Sequence, residues 1–190
     1  MKRSIAWPLA ALMIAISVAA VPPASARQAP AAPDVWAPFK FFVGTWKGGG
    51  EGTPGAMAGE ETFSFILRGT YLQVRNRAVI DPQAKNPAGE VHEDWGVFSY
   101  DKARKTFVLR SFHVEGFVNE YVLQDQASDP KTFVFVSESI ENIPAGFRAR
   151  LTYRIIDQDS FEQTFDLAPA GQEFTCYSKG IMRRQKGEPQ

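Results

Sequence analysis

The chain has 190 residues, with 21 Lys and Arg balanced by 21 Asp and Glu, two His and a single Cys. Zero net charge gives no pull toward nucleic acid or anionic lipid, one thiol excludes an internal disulfide, and two His do not make a zinc-finger set. At 44% hydrophobic and 13% aromatic, with 15 Phe, the chain has core material for one folded domain and is not of disordered composition.

The first element is an address. Lys2 and Arg3 form a positive n-region, an apolar stretch follows from Ile5 to Val21, and Ala24-Ser25-Ala26 supplies the small residues read at a cleavage site. The apolar stretch is close to the roughly 20 residues of a membrane span. Pro8, Pro22-Pro23 and the Ala-x-Ala that follows favour cleavage instead, so residues 1–26 are expected to be a signal peptide and the protein to be exported, periplasmic or secreted. Loss of Lys2 and Arg3 leaves the mature chain mildly acidic. Residues 27–38, rich in Ala and Pro, read as an extended linker. The domain is placed at 39–184, and the polar residues 185–190 read as a disordered tail.

From Thr45 onward, runs of alternating or aromatic-rich character are punctuated by Gly, Pro, Asp or Asn. In chain order the expected strands are Thr45 to Glu51, Glu61 to Leu67, Tyr71 to Val79, Val91 to Tyr100, Thr106 to Val114, Phe117 to Leu123 and Thr132 to Glu138. Next comes the clearest alternation, Phe147, Leu151, Tyr153 and Ile155 against Arg148, Arg150, Thr152 and Arg154. Asp157-Gln158-Asp159 turns it into Phe161, Gln163, Phe165 and Leu167, and Pro169-Ala170-Gly171 turns that into Phe174 to Arg183. Trp36 to Val43 has room for a turn or two of helix. About ten short strands with tight turns predict an all-β, antiparallel up-and-down barrel, which closes on itself and can hold one small ligand; a β-sandwich is the alternative.

Phe42-Val43-Gly44-Thr45-Trp46 carries a Gly-x-Trp signature, followed by Lys47-Gly48-Gly49-Gly50-Glu51-Gly52. With Gly69-Thr70-Tyr71-Leu72, Phe112-His113-Val114-Glu115-Gly116-Phe117 and Tyr177-Ser178-Lys179-Gly180-Ile181-Met182-Arg183-Arg184, this resembles lipocalin-like (calycin) barrels, in particular nitrobindin-like and related bacterial domains, over most of Phe39 to Arg184. The resemblance implies that Trp46 closes the barrel floor under a last-strand arginine, Arg183 or Arg184, in a structural pair. It also implies haem as a cofactor, held by a His near the C-terminal end. This chain has no His between Phe174 and Gln190. The Gly48, Gly50, Gly52 alternation leaves one strand face bare, suited to close approach of another backbone; without a following Lys-Ser/Thr it is not a phosphate loop.

The candidate ligand-binding residues are His113, Arg110, Asn119, Tyr121, Tyr153 and Gln163, sparse polar groups among Phe and Leu, as small-molecule pockets require. His113 shares a face with Ser111 and Glu115. It suits haem ligation, acid/base work oriented by Glu115, or a structural place in the wall. Arg110 lies three residues earlier, so only one of the two faces the cavity; an inward Arg would suit a carboxylate ligand. His92 and Asp94 share a face and Glu93 does not; two ligands do not make a metal site, and an exposed strand edge is expected. Cys176 is expected to be a buried, inert thiol on the face of Phe174. No catalytic residue and no metal ligand is assigned.

These observations predict an exported barrel that binds a small hydrophobic or amphipathic molecule without changing it, with no nucleic-acid partner and no membrane span after cleavage. Two alternatives share the fold: an enzyme using His113 as general acid or base, or a haem protein. A third is a cell-envelope interaction protein with a filled core.

Overall fold

The computed structural model describes residues 34–84, 86–124 and 129–186. The expected signal peptide, residues 27–33 of the expected linker and residues 187–190 of the expected tail lie outside the described residues. Among the described residues, no helix is long and apolar enough to cross a membrane.

Ten strands follow one another: β1 (Gly44–Gly52), β2 (Gly55–Ile66), β3 (Tyr71–Ile80), β4 (Glu90–Asp101), β5 (Thr106–His113), β6 (Val118–Leu123), β7 (Thr132–Glu141), β8 (Arg148–Asp157), β9 (Ser160–Ala168) and β10 (Thr175–Arg184). Each pairs antiparallel with the next, and β10 returns to β1, so the sheet is a closed up-and-down barrel without edges. All ten strands expected from the alternation are present. The largest boundary difference is β2, which starts six residues before the predicted Glu61 because Gly55, Ala56, Ala58 and Gly59 pair with neighbouring strands despite their weak strand propensity.

One end of the barrel is filled. A 3₁₀ helix, Ala37–Phe42, opens with Pro38 in its first turn and drives Phe39 and Phe42 into the interior, where they meet Phe63, Phe98, Phe133, Phe135, Tyr153 and Phe161 at ring-centroid separations of 5.0 to 6.3 Å. Packing begins at Trp36, inside the stretch read as linker: its buried ring lies 5.0 Å from Phe107 and 5.5 Å from Phe65. Offset and edge-to-face rings of this kind each add about 0.5 to 1.5 kcal/mol beyond area burial. Trp46 is fully buried beside this layer, and its Nε1 donates to the Phe42 carbonyl at 2.7 Å. Arg184, its cross-strand partner on β10, covers the ring; Arg183 points to solvent. Of the two arginines offered by the resemblance, Arg184 makes the pair.

The bare face of β1 has a steric cause. A Cβ on Gly48, Gly50 or Gly52 would lie 2.0 to 2.1 Å from the carbonyl oxygen of Ile181, Lys179 or Tyr177 on β10. Only glycine lets these two backbones approach so closely. Further along β10 the register shifts between Cys176 and Ser178, a β-bulge. The extra residue places Tyr177 on the inner wall and turns Cys176 outward, so the expected buried thiol is in fact exposed. Phe174 is also outside, beneath the guanidinium groups of Arg148 and Arg150 at 4.8 and 4.6 Å.

Candidate functional site

The aromatic plug occupies only one end of the interior. Toward the other end the barrel encloses a cavity of about 390 Å³, within the range of small-molecule pockets. The apolar part of its wall includes Val74, Leu109, Ile140, Leu151, Phe165 and Met182. Pro54, Ile80, Glu90, Glu115 and Ile143 come from strand ends and turns at the end away from the plug. Gln83 holds two of those turns together, accepting from the Ala56 N–H at 2.9 Å and donating to its carbonyl at 3.0 Å.

One stretch of wall is densely polar. His92 and Asp94 point inward from β4, and β5 places His113 opposite Asp94 in the ladder. His92 reaches two carboxylates, Glu115 through Nδ1 at 2.6 Å and Asp94 through Nε2 at 3.3 Å. The hydrogen-bonded Asp94 carboxylate raises the His92 imidazole to about 9, against the opposing effect of burial and with further help from Glu115. The longer contact dominates because Asp94 is better shielded from water, its side chain 14% exposed against 37% for Glu115. His92 is therefore an imidazolium at neutral pH. Asp94 is steadied in turn by Asn76, whose Nδ2 donates at 2.7 Å. His113 is different: burial lowers its pKa, its ring stacks on Phe117 at 4.3 Å, and its Nδ1 has no hydrogen-bond partner among the described residues. It is the neutral histidine of the pair.

Two strands along the same wall, Glu61 on β2 is the ladder neighbour of Asn76; it is 3% exposed and its carboxyl is raised to about 8, chiefly by burial and further by the Asp94 charge, with the Gln163 side chain hydrogen-bonded to it in opposition. At neutral pH it is mainly a carboxylic acid. Its Oε2 has no partner among the described residues. Asn119 and Tyr121 share a face of β6; the Asn119 amide donates to the Tyr121 hydroxyl and stands 3.5 Å from Nε2 of His113, while its Oδ1 is unpartnered among the described residues. Burial holds the Tyr121 and Tyr153 hydroxyls protonated.

Five of the six expected ligand-binding residues, His113, Asn119, Tyr121, Tyr153 and Gln163, thus meet on the wall of one cavity. Arg110 does not. The strand alternation that turns His113 inward turns Arg110 out to solvent, where it pairs with Glu120 at 2.8 Å, so no inward guanidinium awaits a carboxylate ligand there. Glu115 orients His92, not His113. At His92-Glu93-Asp94, expected as an exposed strand edge, β3 pairs with all three residues while the β5 ladder reaches only as far as Asp94; Glu93 is exposed, and His92 and Asp94 are half-buried on the inner face. Glu61 was missed, though a signal existed: it precedes Phe63 and Phe65 by two and four positions, on the same face of β2.

Haem, implied by the resemblance, does not fit these residues. The last strand carries no His, and a macrocycle ligated at His113 would press its apolar plate against the charged His92, Asp94 and Glu115 group, stripping those charges of water.

No protein-family model matches the chain, and no curated protein matches its sequence. Among solved structures, it is similar to Rv2717c from M. tuberculosis at 18% identity and a TM-score of 0.61, covering 81% of this chain and 99% of that one. Lower similarity is found to a de novo designed fluorescence-activating beta barrel, at 16% identity and a TM-score of 0.40 over 77% of this chain and 95% of that one. The redesigned beta barrel mFAP0, bound to DFHBI, matches at 9% identity and 0.42 over 76% and 99%. The first of these likenesses establishes the fold alone, a closed antiparallel β-barrel.

Proposed function

We propose that this is an exported barrel that binds one small amphipathic molecule in its interior. The observation carrying this reading is a largely apolar cavity of about 390 Å³ lined by Glu61, His113 and Asn119, each of which has a buried polar atom without a partner among the described residues, Oε2, Nδ1 and Oδ1 respectively. Each buried polar atom left without a partner costs about 1 to 3 kcal/mol, and a ligand offering matching groups recovers that cost on binding. The apolar wall desolvates the body of the ligand while these atoms fix its orientation. Because Glu61 is mainly protonated and Arg110 lies outside, the interior favours a neutral polar group over a free carboxylate. Export rests on the Lys2-Arg3, Ile5 to Val21 and Ala24-Ser25-Ala26 pattern.

Native mass spectrometry of the protein taken from its own periplasmic or secreted fraction tests both parts. A mass beginning at Arg27 and carrying a noncovalent small molecule, lost on denaturation and reduced in Glu61→Gln or Asn119→Ala, is the expected result. An unprocessed chain would overturn export. A mass without added ligand, together with no thermal shift from a panel of neutral amphiphiles, would overturn the binding reading.

A further inference from the structure

We propose that the polar wall of β4 and β5 is also a metal site, in which His92, Asp94 and His113 bind one divalent first-row transition-metal ion. This goes beyond the binding of an organic molecule and does not depend on it. The geometry starts from the ladder. His92 and Asp94 are two residues apart on the inner face of β4, and His113 is the direct neighbour of Asp94 on β5, so three ligating side chains leave adjacent positions on one wall. One ligand atom from each lies within 4.8 Å of the other two. Donors bound to one ion at about 2.1 Å stand about 3 to 3.5 Å apart, a gap that small side-chain rotations close.

The surroundings are those of a ligand set. Metal-bound imidazoles almost always engage a carboxylate or carbonyl through the second ring nitrogen, which fixes the ring and leaves the first nitrogen aimed at the ion. Glu115 does this for His92, holding Nδ1 at 2.6 Å and leaving Nε2 on the Asp94 side. Asn76 does the equivalent for Asp94, donating to Oδ2 at 2.7 Å. The His113 ring has one nitrogen, Nδ1, with no hydrogen-bond partner among the described residues, and the other, Nε2, only 3.5 Å from the Asn119 amide. Two imidazoles and one carboxylate, without thiolate, suit zinc, iron(II), cobalt(II) or nickel(II) better than magnesium or calcium, which prefer all-oxygen sets. All three ligands come from one side, so the remaining coordination positions face the cavity, within reach of water or of a polar group on a cavity ligand. Glu90 and Glu115 form a second possible ligand group with His92 at the rim. The two groups share His92, so the wall takes one ion at a time.

The competing state is a self-contained ion cluster, with His92 as an imidazolium between two carboxylates. Chelator-treated full-length mature protein titrated with cobalt(II) chloride, followed by visible absorption, and with zinc chloride, followed by calorimetry, separates the two. One saturable ion per chain, with affinity reduced at least tenfold in both His113→Gln and Asp94→Asn and about tenfold in Glu115→Gln, is expected, while Arg110→Ala on the outer face of β5 binds as wild type. Thermal unfolding of each variant without metal confirms the fold; if His113→Gln does not fold, Asp94→Asn and the wild-type stoichiometry decide. The absence of saturable binding to wild type, or binding unchanged in the folded His113→Gln or Asp94→Asn variant, would overturn the site. Neither outcome bears on retention of an organic ligand, which is read without added metal.

Discussion

The guanidinium carbon of Arg184 lies 4.0 Å from the centroid of the Trp46 ring, and the same side chain donates to the carbonyls of Phe41 at 2.7 Å and Val43 at 2.9 Å. One residue near the C-terminus therefore fastens both the floor tryptophan and the chain leading from the plug. Arg184→Ala should lower stability by about 2 to 4 kcal/mol, from a cation–π contact and two charge-assisted hydrogen bonds. Urea denaturation checks this, with outward-facing Arg183→Ala leaving the midpoint unchanged. Trp46→Ala should cost about 3 to 5 kcal/mol while the molecules still folded keep their ligand affinity.

Glu61 predicts a pH dependence with a definite sign. Its carboxyl titrates near 4.5 in the unfolded chain and about 8 in the barrel, so between these values the folded state holds more protons. The contribution to stability is complete below about pH 4.5 and is lost as pH rises to about 8, at about 1.4 kcal/mol per pH unit in the steep part of the window. His92 and His113 also titrate in this interior, so the quantity to measure is the difference between wild type and Glu61→Gln in urea midpoints from about pH 5 to 9. That difference should fall with rising pH; a flat difference would mean that Glu61 stays ionised.

Two glycine substitutions should separate close approach from mere strand propensity. In Gly50→Ala the new Cβ would sit 2.0 Å from the Lys179 carbonyl oxygen, whereas at Gly59 the nearest atoms are an ordinary 3.5 to 3.8 Å away. Gly50→Ala should therefore destabilise by several kcal/mol or prevent folding, and Gly59→Ala should unfold at a midpoint close to that of wild type.

The outward position of Cys176 predicts that native protein reacts fully with an aromatic disulfide reagent, at a rate little changed by adding denaturant. Cys176→Ser should leave the unfolding midpoint unchanged. Slow labelling that requires denaturant would place the thiol inside after all.

The strands were legible because period-two alternation in a barrel with one largely apolar interior is a strong signal: Leu151, Tyr153 and Phe161 lie inside as that pattern requires. Cys176 was misread because a bulge adds one residue without leaving a mark in local composition, and parity beyond it inverts. The polar wall shows a different limit. His92 and Asp94 are two residues apart on one strand, His113 is about twenty residues further along the chain, and only the β4–β5 register makes the three neighbours. Parity on a single strand does not supply register. Glu61 was within reach of parity alone, but a Glu beside two Phe reads more readily as surface than as a buried acid.

The glycine face of β1 also bears on how the molecule assembles. Arg184 and Val43 are joined across 141 positions of chain, so the β1–β10 pairing carries the largest loop-closure entropy in a barrel whose other pairings all link consecutive strands. A strand with so few side chains gains little from local contacts before its partner arrives. The β1–β10 seam is therefore expected to form late, after the hairpins between them, and the unsealed intermediate would present two open sheet edges to its neighbours. For this protein, protection from aggregation during folding depends on how soon its two ends meet.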